Sequence, residues 1–479
     1  MANALSPVKR KLSYDVAHRI ARDIIDNGWE EGHLIGREPK LLERYSISRD
    51  TFREALRVLE WQGLIRTRRG RSGGLMVAKP SKDAILNILR TYLALTDIRF
   101  SEVMEVRRRL ERLAVRLATI RLTDEVVPRL QALLEESVAP SASTVEEIVR
   151  HLRLIHEIGR VSGNSVLGLF IAPLDYVAVD FVDLDKLSED LLERTRGSGR
   201  KILRKLVAAI VDNEEEVAIE NVNDYIQLTE TVAQTASKSV NGEPSTYPQW
   251  LDFGSNKFAH TLIYRIRHDI RRQGLAAGDR LGSETDLIRK YDVSRSILRE
   301  ALRILELIGI TESRTGPYGG VFVDRADPDN TVEAAGQFLE QSDLPYEQIY
   351  EVRLELDTFA TELAAERRTE AQTRDLDRAL AAESGARSAE EFAAAAGHLH
   401  NAICAAAHNR VIGLYVNVLI SSKLFRFVHE QQLRKLMDNR TILVRSHERI
   451  IRAIKARDAE QASRHMLDHR AQVGRLLRL

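Results

Sequence analysis

Residues 48–59 read SRDTFREALRVL, and residues 294–305 read SRSILREALRIL. Apolar side chains recur every three or four positions in both stretches, which predicts two short amphipathic helices. Ser48 and Ser294 are placed to cap the starts of these helices. Ser13 is predicted in the same way to cap a further helix over residues 14–27.

The polar positions of the two short helices predict a surface that contacts DNA. Ser, Thr and Arg side chains in a first helical turn suit phosphates and base edges in a major groove. The predicted contacts are Ser48, Arg49, Thr51, Arg53, Ser294, Arg295, Ser296 and Arg299. The alternative is an ordinary amphipathic helix with a solvated basic face, but it explains neither the hairpins nor the duplication described next.

A β-hairpin is predicted after each helix. Residues 63–77 read GLIRTRRGRSGGLMV and residues 309–323 read GITESRTGPYGGVFV, so two β-like runs flank a Gly-rich tip in both places. Arg69 and Arg71 at the first tip are predicted to reach the DNA backbone or minor groove. Helices followed by such a wing form a winged helix-turn-helix.

The whole pattern repeats at an offset of 246 residues, as from Asp23 to Asp269 and from Gly74 to Gly320. Between the two heads, and after the second head, the apolar residues recur with the spacing of helices. The predicted fold is therefore mostly α, with two winged heads and two all-helical bundles. The predicted domains are winged heads at 1–80 and 256–326, helical domains at 81–240 and 327–479, and a linker at 241–255.

Composition bounds the class of protein. The 479 residues include 71 basic and 70 acidic side chains, so nucleic-acid binding must come from local patches rather than net charge. Cys404 is the single cysteine, which fits a reducing compartment. The chain has neither a signal-peptide pattern nor an apolar run long enough to span a membrane, and we expect a cytoplasmic protein.

Two runs carry a family resemblance: GDRLGSETDL at residues 278–287 and VSRSILREALRILE at 293–306. They resemble the GntR transcription regulators, in particular the FadR-like branch with an all-helical FCD effector domain. The first copy, EGHLIGREPKL at 31–41, is looser. The family often has an Arg after the Glu of the second helix, where this chain has Pro39 and Thr285. Family members usually carry one unit and dimerise, so the resemblance implies a pseudo-dimer within one chain and leaves a further homodimer open.

Arg107 and Arg353 are the candidate effector-binding residues. Each lies four residues after an apolar residue, Val103 or Ile349, on the apolar face of its helix. Such an Arg needs an acceptor, because burying an unpaired charge is costly. It is either a clamp for a small carboxylate-type effector or part of an internal salt bridge. The family resemblance favours the clamp.

The resemblance also implies a divalent metal, such as zinc or nickel, in the second helical domain only. The implied ligands are His400, His447 and His469. The family's usual Asp, four residues before the first His, is replaced by Ala396, so the site would be one ligand short. Core or polar histidines are the alternative, and the nearby His398 and His465 leave the assignment open.

The first half lacks this ligand set. A one-residue shift leaves the alignment open, so its places hold His151 or Leu152, Ile155 or His156, Leu203, and Tyr225. We expect the first helical domain to bind no metal and to be a structural partner. The basic run RTRGSGR at 194–200 is predicted to be a mobile loop.

These features predict a DNA-binding transcription regulator, a repressor whose operator affinity falls when a small acidic metabolite binds the second helical domain. Because the two recognition helices differ, the operator should be asymmetric, and the Arg-rich first wing should carry more of the salt-dependent binding. Two rivals are a metal-dependent enzyme acting on a small organic acid and a non-specific DNA-packaging protein. No nucleophile–base pair supports the enzyme, so we do not expect catalysis.

Overall fold

A computed structural model describes residues 12–68, 74–79, 82–96, 98–141, 143–182, 187–235, 257–314, 316, 318–342, 344–421 and 430–477. The chain divides into two units, Met1–Ile88 and Leu89–Leu479. The predicted linker at 241–255 and the predicted contacts Arg69 and Arg71 lie outside the described residues. None of the described helices is both long enough and apolar enough to cross a bilayer.

The first unit contains a winged helix-turn-helix, as predicted. Its elements are α1 (Leu12–Asp26), β1 (Leu34–Gly36), α2 (Glu38–Tyr45), α3 (Arg49–Trp61), β2 (Ile65–Arg68) and β3 (Gly74–Val77). The strands form an antiparallel sheet in the order β1-β3-β2, so β2 and β3 make the wing. The helix predicted from residues 48–59 is α3.

Burial and capping explain why these residues form these elements. Phe52, Ala55 and Leu59 of α3 are buried, and the Thr51 backbone N–H donates to Ser48 Oγ at 3.2 Å. The predicted cap at Ser13 is wrong. The helix already includes Leu12, so Ser13 lies within its first turn and its side chain is buried.

The second winged head belongs to the second unit and repeats the first. Its elements are α11 (Lys257–Arg272), β4 (Arg280–Gly282), α12 (Glu284–Tyr291), α13 (Arg295–Leu307), β5 (Thr311–Arg314) and β6 (Gly320–Val323), with strand order β4-β6-β5. A Cβ at Gly320 would lie 2.7 Å from the Gly282 carbonyl oxygen. At the equivalent Gly74 it would lie 2.6 Å from the Gly36 carbonyl oxygen. Glycine therefore permits the same strand contact in both heads.

The rest of the described chain forms two helical domains, as predicted. The first contains α4 (Lys82–Leu95), α5 (Phe100–Arg121), α6 (Val127–Val138), α7 (Thr144–Val161), α8 (Ser165–Asp180), α9 (Glu189–Val211) and α10 (Glu215–Thr235). The second contains α14 (Asp329–Gln341), α15 (Tyr346–Arg367), α16 (Glu370–Ser384), α17 (Ala389–Ala406), α18 (Arg410–Ser421), α19 (Glu430–Asp438), α20 (Arg440–Lys455) and α21 (Ala459–Leu477).

The prediction of a mobile loop at residues 194–200 is wrong. These residues lie inside α9, and two of their arginines pair with the buried Glu147 of α7. Arg196 Nε donates to Glu147 Oε2 at 2.8 Å, and Arg200 Nη2 donates to Glu147 Oε1 at 3.1 Å. The two glycines suggested a loop, but the ion pairs to the buried Glu147 hold this segment in the helix.

The two helical domains contact each other within the second unit through matched pairs. Arg367 Nη2 donates to Glu105 Oε1 at 2.8 Å, and Arg121 Nη1 donates to Glu351 Oε2 at 3.3 Å. Glu351 lies 246 residues after Glu105, and Arg367 lies 246 after Arg121. The second contact is therefore the first with the domains exchanged, which is local pseudo-two-fold symmetry.

Candidate functional site

Helices α3 and α13, hereafter the recognition helices, present their predicted DNA-contacting side chains together. Each helix buries its apolar stripe and turns its polar side outward. The exposed polar residues are Ser48, Arg49, Arg53, Ser294, Arg295, Ser296 and Arg299, and Thr51 is half-buried. Ser48 and Ser294 also cap their helices, so part of each hydroxyl's hydrogen-bonding capacity is already used.

One arginine of each recognition helix is held by an acid of the preceding helix. Arg49 Nε lies 3.1 Å from Glu38 Oε1, and Arg299 Nη2 lies 3.2 Å from Glu284 Oε2. The two acids occupy equivalent positions, 246 residues apart, whereas the two arginines do not. The heads therefore differ in which guanidinium is paired with this acid.

The wings differ in charge. In the first, Arg66 and Arg68 on β2 are exposed. In the second, Glu312 accepts from Arg314 Nε at 2.9 Å, and the Arg314 guanidinium lies 4.3 Å from the centroid of a neighbouring aromatic ring. Tyr318, at the second wing's tip, is 93% exposed. Sequence reasoning missed this side chain, although an aromatic residue between glycines in a wing tip was the available signal.

Three buried histidines meet in the second helical domain. Ligand nitrogens of His400, His447 and His469 all lie within 4.8 Å of one another. The three side chains project from α17, α20 and α21. His398 is exposed and His465 is half-buried, and neither belongs to this group. The fold thus brings together the three histidines that the resemblance implied.

The hydrogen bonds around two of these imidazoles determine their tautomers. Glu383 accepts from His447 Nδ1 at 2.8 Å. The Ser446 hydroxyl donates to the Leu443 carbonyl oxygen at 2.6 Å, so its oxygen accepts from His469 Nδ1 at 2.7 Å. In the neutral form of both rings the lone pair is then on Nε2, and these two atoms lie 3.1 Å apart. Two facing lone pairs favour a cation at this point, and such outer partners are typical of metal-binding histidines.

A buried carboxylate also approaches this centre, from a helix that the sequence did not suggest. Asp357 of α15 is 1% exposed, and its Oδ2 lies 3.6 Å from His400 Nδ1. The position of the family's Asp, Ala396, offers only a methyl group. Asp357 lies four residues after Arg353 on the same helix face, which was the available signal. Glu383 had no comparable signal, because it lies 64 residues from its partner.

Burial keeps two of the imidazoles neutral. Burial lowers the pKa of His400 below its usual value, although Asp357 opposes this shift. Burial and the neighbouring His447 and His400 lower the pKa of His469 well below the usual value. The neutral imidazole is the form that binds metals, so three nitrogen donors suit zinc or nickel here.

Two buried arginines share one carboxylate beside the histidines. Arg353 Nε donates to Asp357 Oδ2 at 3.3 Å, and Arg470 Nε lies 3.6 Å from the same oxygen. Burial and repulsion from Arg470 lower the pKa of Arg353 to about 10, so the Arg353 guanidinium is still charged at neutral pH. Nε and Nη2 of Arg470 are buried without a hydrogen-bond acceptor among the described residues. This cluster therefore suits an anionic ligand.

The caps of two equivalent helices resolve the one-residue shift between the halves. Ser143 caps α7 and Ser388 caps α17, which sets an offset of 245 residues in this region. This offset puts His151 and Ile155 at the places of Ala396 and His400. Helices α9 and α20 end at Val211 and Lys455, an offset of 244 that puts Leu203 and Tyr225 at the places of His447 and His469. One imidazole among two aliphatic side chains and a phenol does not fit a metal. Absence of metal from this domain stays a prediction.

Arg107, in the first helical domain, is held by two buried acids. Its Nε lies 2.6 Å from Glu111 Oε1 and 2.8 Å from Asp175 Oδ1. Burial raises the pKa of Glu111 to about 8, so at neutral pH Asp175 supplies the charge that balances Arg107. The internal salt bridge that was the alternative for this Arg is present. An effector contact by Arg107 stays a prediction.

Arg107 also lines a cavity of about 150 Å³ in the first helical domain. Its walls are mainly aliphatic and aromatic, including Phe100, Met104 and Leu228. His151 and Tyr225, which replace the metal-site residues of the second half, line it as well. The two helical domains therefore offer different chemistry at equivalent places.

Two families of known proteins match the chain, each of them twice. The family described as bacterial regulatory proteins, gntR family, matches residues 12–74 and 259–323. The FCD domain family matches residues 102–227 and 348–472. These matches fall on the two winged heads and the two helical domains.

Characterised relatives match about half of the chain over most of their own length. The HTH-type transcriptional regulator LutR of Bacillus subtilis is 30% identical over 204 residues, which are 42% of this chain and 92% of LutR. The HTH-type transcriptional repressor NanR of Enterobacter sp. is 24% identical over 244 residues, or 50% of this chain and 90% of NanR. A solved structure, Streptococcus agalactiae GntR, covers 45% of this chain and 99% of its own at 24% identity, with a TM-score of 0.35.

Proposed function

The chain belongs to the gntR family of bacterial regulatory proteins with FCD domains, and from this premise we propose how it regulates transcription. It is a DNA-binding regulator that represses by occupying an operator with both winged heads. A small acidic metabolite bound in the second helical domain lowers that affinity. The observation that carries this proposal is the outward-facing Arg and Ser set on both recognition helices.

Each recognition helix enters a major groove and contacts one half-site. Arg49 and Arg299 exchange Glu38 and Glu284 for phosphates or base edges, because a DNA acceptor replaces the charge that each acid supplies. Pro39 takes the place of the family's second-helix Arg in the first head. The base contacts of this head therefore come from α3 and its wing.

The operator is asymmetric. The first wing carries Arg66 and Arg68 where the second carries Glu312 and Arg314, so the first head makes more phosphate contacts. The second head adds Tyr318 at its wing tip, where an aromatic ring suits a sugar or a base edge. We propose that both heads are needed for full affinity.

The effector site lies in the second helical domain. His400, His447 and His469 would hold a divalent metal, which supplies a Lewis acid for an oxygen of the effector. Arg353 and Arg470 attract and orient the effector's carboxylate, because both guanidinium groups lie beside the Asp357 carboxylate in this buried cluster. A small dicarboxylate or hydroxy acid fits this combination of charges.

The second head connects to the helical domains through a contact that transmits the change. Arg267 Nη2 of α11 donates to the Thr96 carbonyl oxygen at 2.9 Å, at the end of α4. Effector binding that shifts the helical domains alters this contact and thereby the mobility of the head.

The regulator acts in the cytoplasm, where its DNA partner lies.

The test is operator affinity by fluorescence anisotropy with DNA from upstream of the protein's own coding sequence. We expect sequence-specific binding that a small carboxylate weakens only when zinc or nickel is present. The His447→Ala variant should keep operator affinity and lose the effector response. A carboxylate that binds the protein and leaves operator affinity unchanged would contradict the proposed mechanism.

Two other functions have their own signatures. Metal-dependent turnover of a small organic acid would favour the enzyme, although the relatives are named as transcriptional regulators. Equal affinity for random and operator DNA would favour a packaging protein. Competition with random DNA in the same anisotropy assay separates that case from a regulator.

A further inference from the structure

Helices α5 and α15, which face each other between the helical domains, carry opposite charges. α5 has six arginines and three acids, whereas α15 has two arginines and six acids. Arg109 Nη1 of α5 lies 3.6 Å from Glu355 Oε1 of α15. These residues are 246 positions apart, so each is the other's counterpart. The pseudo-two-fold axis therefore passes between an arginine and a glutamate.

In a pair of identical domains, a residue at the axis faces its own copy. Two first domains would place Arg109 against a second Arg109, and two second domains would place Glu355 against a second Glu355. Arg109 also bonds Glu362, whose counterpart in the first domain is Arg116. Like-with-like pairing would thus bring two further like charges towards the centre, which opposes assembly.

A second ion pair between the helical domains also differs from its symmetry-related counterpart. Glu102 is 2% exposed and accepts from Arg410 Nη2 at 2.8 Å. The counterpart contact is neutral, since the Ser165 backbone N–H donates to Gln348 Oε1 at 2.9 Å. In a pair of first domains Glu102 would face Ser165, and the buried carboxylate would lose the Arg410 charge.

The aromatic contact between the domains is also unequal. Phe170 and Tyr415 stack with ring centroids 4.1 Å apart, and the Tyr415 hydroxyl donates to the Phe170 carbonyl oxygen at 2.8 Å. The outer pairs, Arg121 with Glu351 and Arg367 with Glu105, have the same residue types in both directions. These outer pairs would form in any combination, so the discrimination comes from the charges around Arg109 and Glu355 and from the Glu102–Arg410 pair.

We propose that this interface, formed around Arg109 and Glu355, is a recognition surface that pairs a first helical domain with a second and excludes pairs of like domains. The partner that each domain fits is the other domain type. Only 21 residues separate Thr235 from Lys257, so the chain's own second domain is present at high effective concentration. This inference concerns domain pairing alone and does not depend on DNA binding.

Charge reversal in the full chain tests the proposal. The variants are Arg109→Glu with Arg116→Glu, Glu355→Arg with Glu362→Arg, and the combination of all four. We expect each double variant to unfold at a lower Tm and the combination to recover most of the loss. The control is Arg194→Glu with Arg378→Glu, whose side chains are 76% and 77% exposed and outside the interface.

Mixing the two double variants gives an independent readout. In the Arg109→Glu, Arg116→Glu variant both helical domains have an acidic interface centre, and in the Glu355→Arg, Glu362→Arg variant both have a basic one. Each domain of one variant therefore fits a domain of the other, and the mixture should form a two-chain particle. Each double variant alone, and the unaltered 54.2 kDa protein, should stay single-chain by light scattering. The proposal is overturned if the four-fold combination is no more stable than the double variants. It is also overturned if the mixture contains no two-chain particle.

Discussion

The His447 imidazole and the Glu383 carboxylate form a buried pair, with Nδ1 2.8 Å from the nearer carboxylate oxygen and both side chains at most 2% exposed. The pair orients Nε2 of His447 towards His469, whose own Nδ1 is held by Ser446. The outer residues thus arrange the donor atoms before any ligand binds. Such outer partners are typical of histidines that bind metals, which is the role that we propose for these residues.

Replacing Glu383 by Gln should lower metal affinity about 10- to 100-fold, because the amide no longer supplies a charged acceptor to His447 Nδ1. Competition with a chromophoric chelator measures the change. Glu448→Gln, an exposed neighbour on α20, is the matched control and should leave the affinity unaltered. If Glu383→Gln binds metal as tightly as the parent protein, Glu383 does not orient a ligand.

The metal-free protein should lose stability as the pH falls through about 6.5, the usual pKa of histidine. His400 and His469 have lowered pKa values in the fold, chiefly because of burial. Below 6.5 the unfolded chain therefore binds more protons than the folded one, and each such histidine contributes up to about 1.4 kcal/mol per pH unit.

Thermal unfolding in chelator at pH 7.5 and 5.5 measures this loss, and His469→Gln should reduce it. If the His469→Gln variant shows the full pH dependence of the parent protein, His469 is not the source of that dependence. Bound metal should protect the fold over the same interval, because it competes with protons for Nε2.

Glu111→Gln should leave the stability nearly unaltered below about pH 4.5 and raise it at pH 7, because burial raises the pKa of Glu111 to about 8 and the carboxyl must take up a proton on folding at pH 7, whereas Gln need not. Asp175→Asn removes the charge that balances Arg107 and should cost about 3–5 kcal/mol. Denaturant unfolding of both variants compares them directly. Equal losses would mean that Glu111, too, is ionised beside Arg107.

The pH dependence of this pair follows from the same shift. The folded state keeps a proton on Glu111 between the usual glutamate pKa and about 8, whereas the unfolded state releases it. Stability from this group is therefore present at low pH and is lost as the pH rises through that range. Glu111→Gln should remove this component and flatten the profile.

Replacing Arg68, Arg69 and Arg71 together by Ala should flatten the salt dependence of DNA binding. Each lost phosphate contact lowers the slope of log affinity against log salt by about 0.9. Arg314→Ala in the second wing removes one basic group and should have about one third of the effect. Anisotropy titrations at several salt concentrations test both variants, and an unaltered slope for the triple variant would reject the first wing as the main phosphate contact.

Local sequence patterns predicted the parts of the molecule that depend on local forces. The spacing around Ser48 and Ser294 located the recognition helices, since caps and apolar stripes act within a few residues. The glycines at residues 197 and 199 led to the wrong prediction of a loop. The ion pairs that stabilise α9 there involve Glu147, which lies on a helix distant in sequence. Glu383 was missed for the same reason.

Charge complementarity between the helical domains was also beyond local reasoning. In the sequence, Arg109 and Glu355 look like ordinary surface charges. Their contribution to domain pairing follows only from their contact at the pseudo-two-fold axis. The duplication was visible as an offset of 246 residues. Which surfaces the two copies turn towards each other depends on tertiary packing.

The central claim is that one chain, through two different heads, recognises one operator. Mass photometry of the protein on its own upstream DNA, with random DNA as competitor, tests it most directly. We predict one 54.2 kDa chain per DNA molecule, and loss of the complex when either Arg53 or Arg299 is replaced by Ala. Two chains per operator, or equal occupancy of random DNA, would contradict the account.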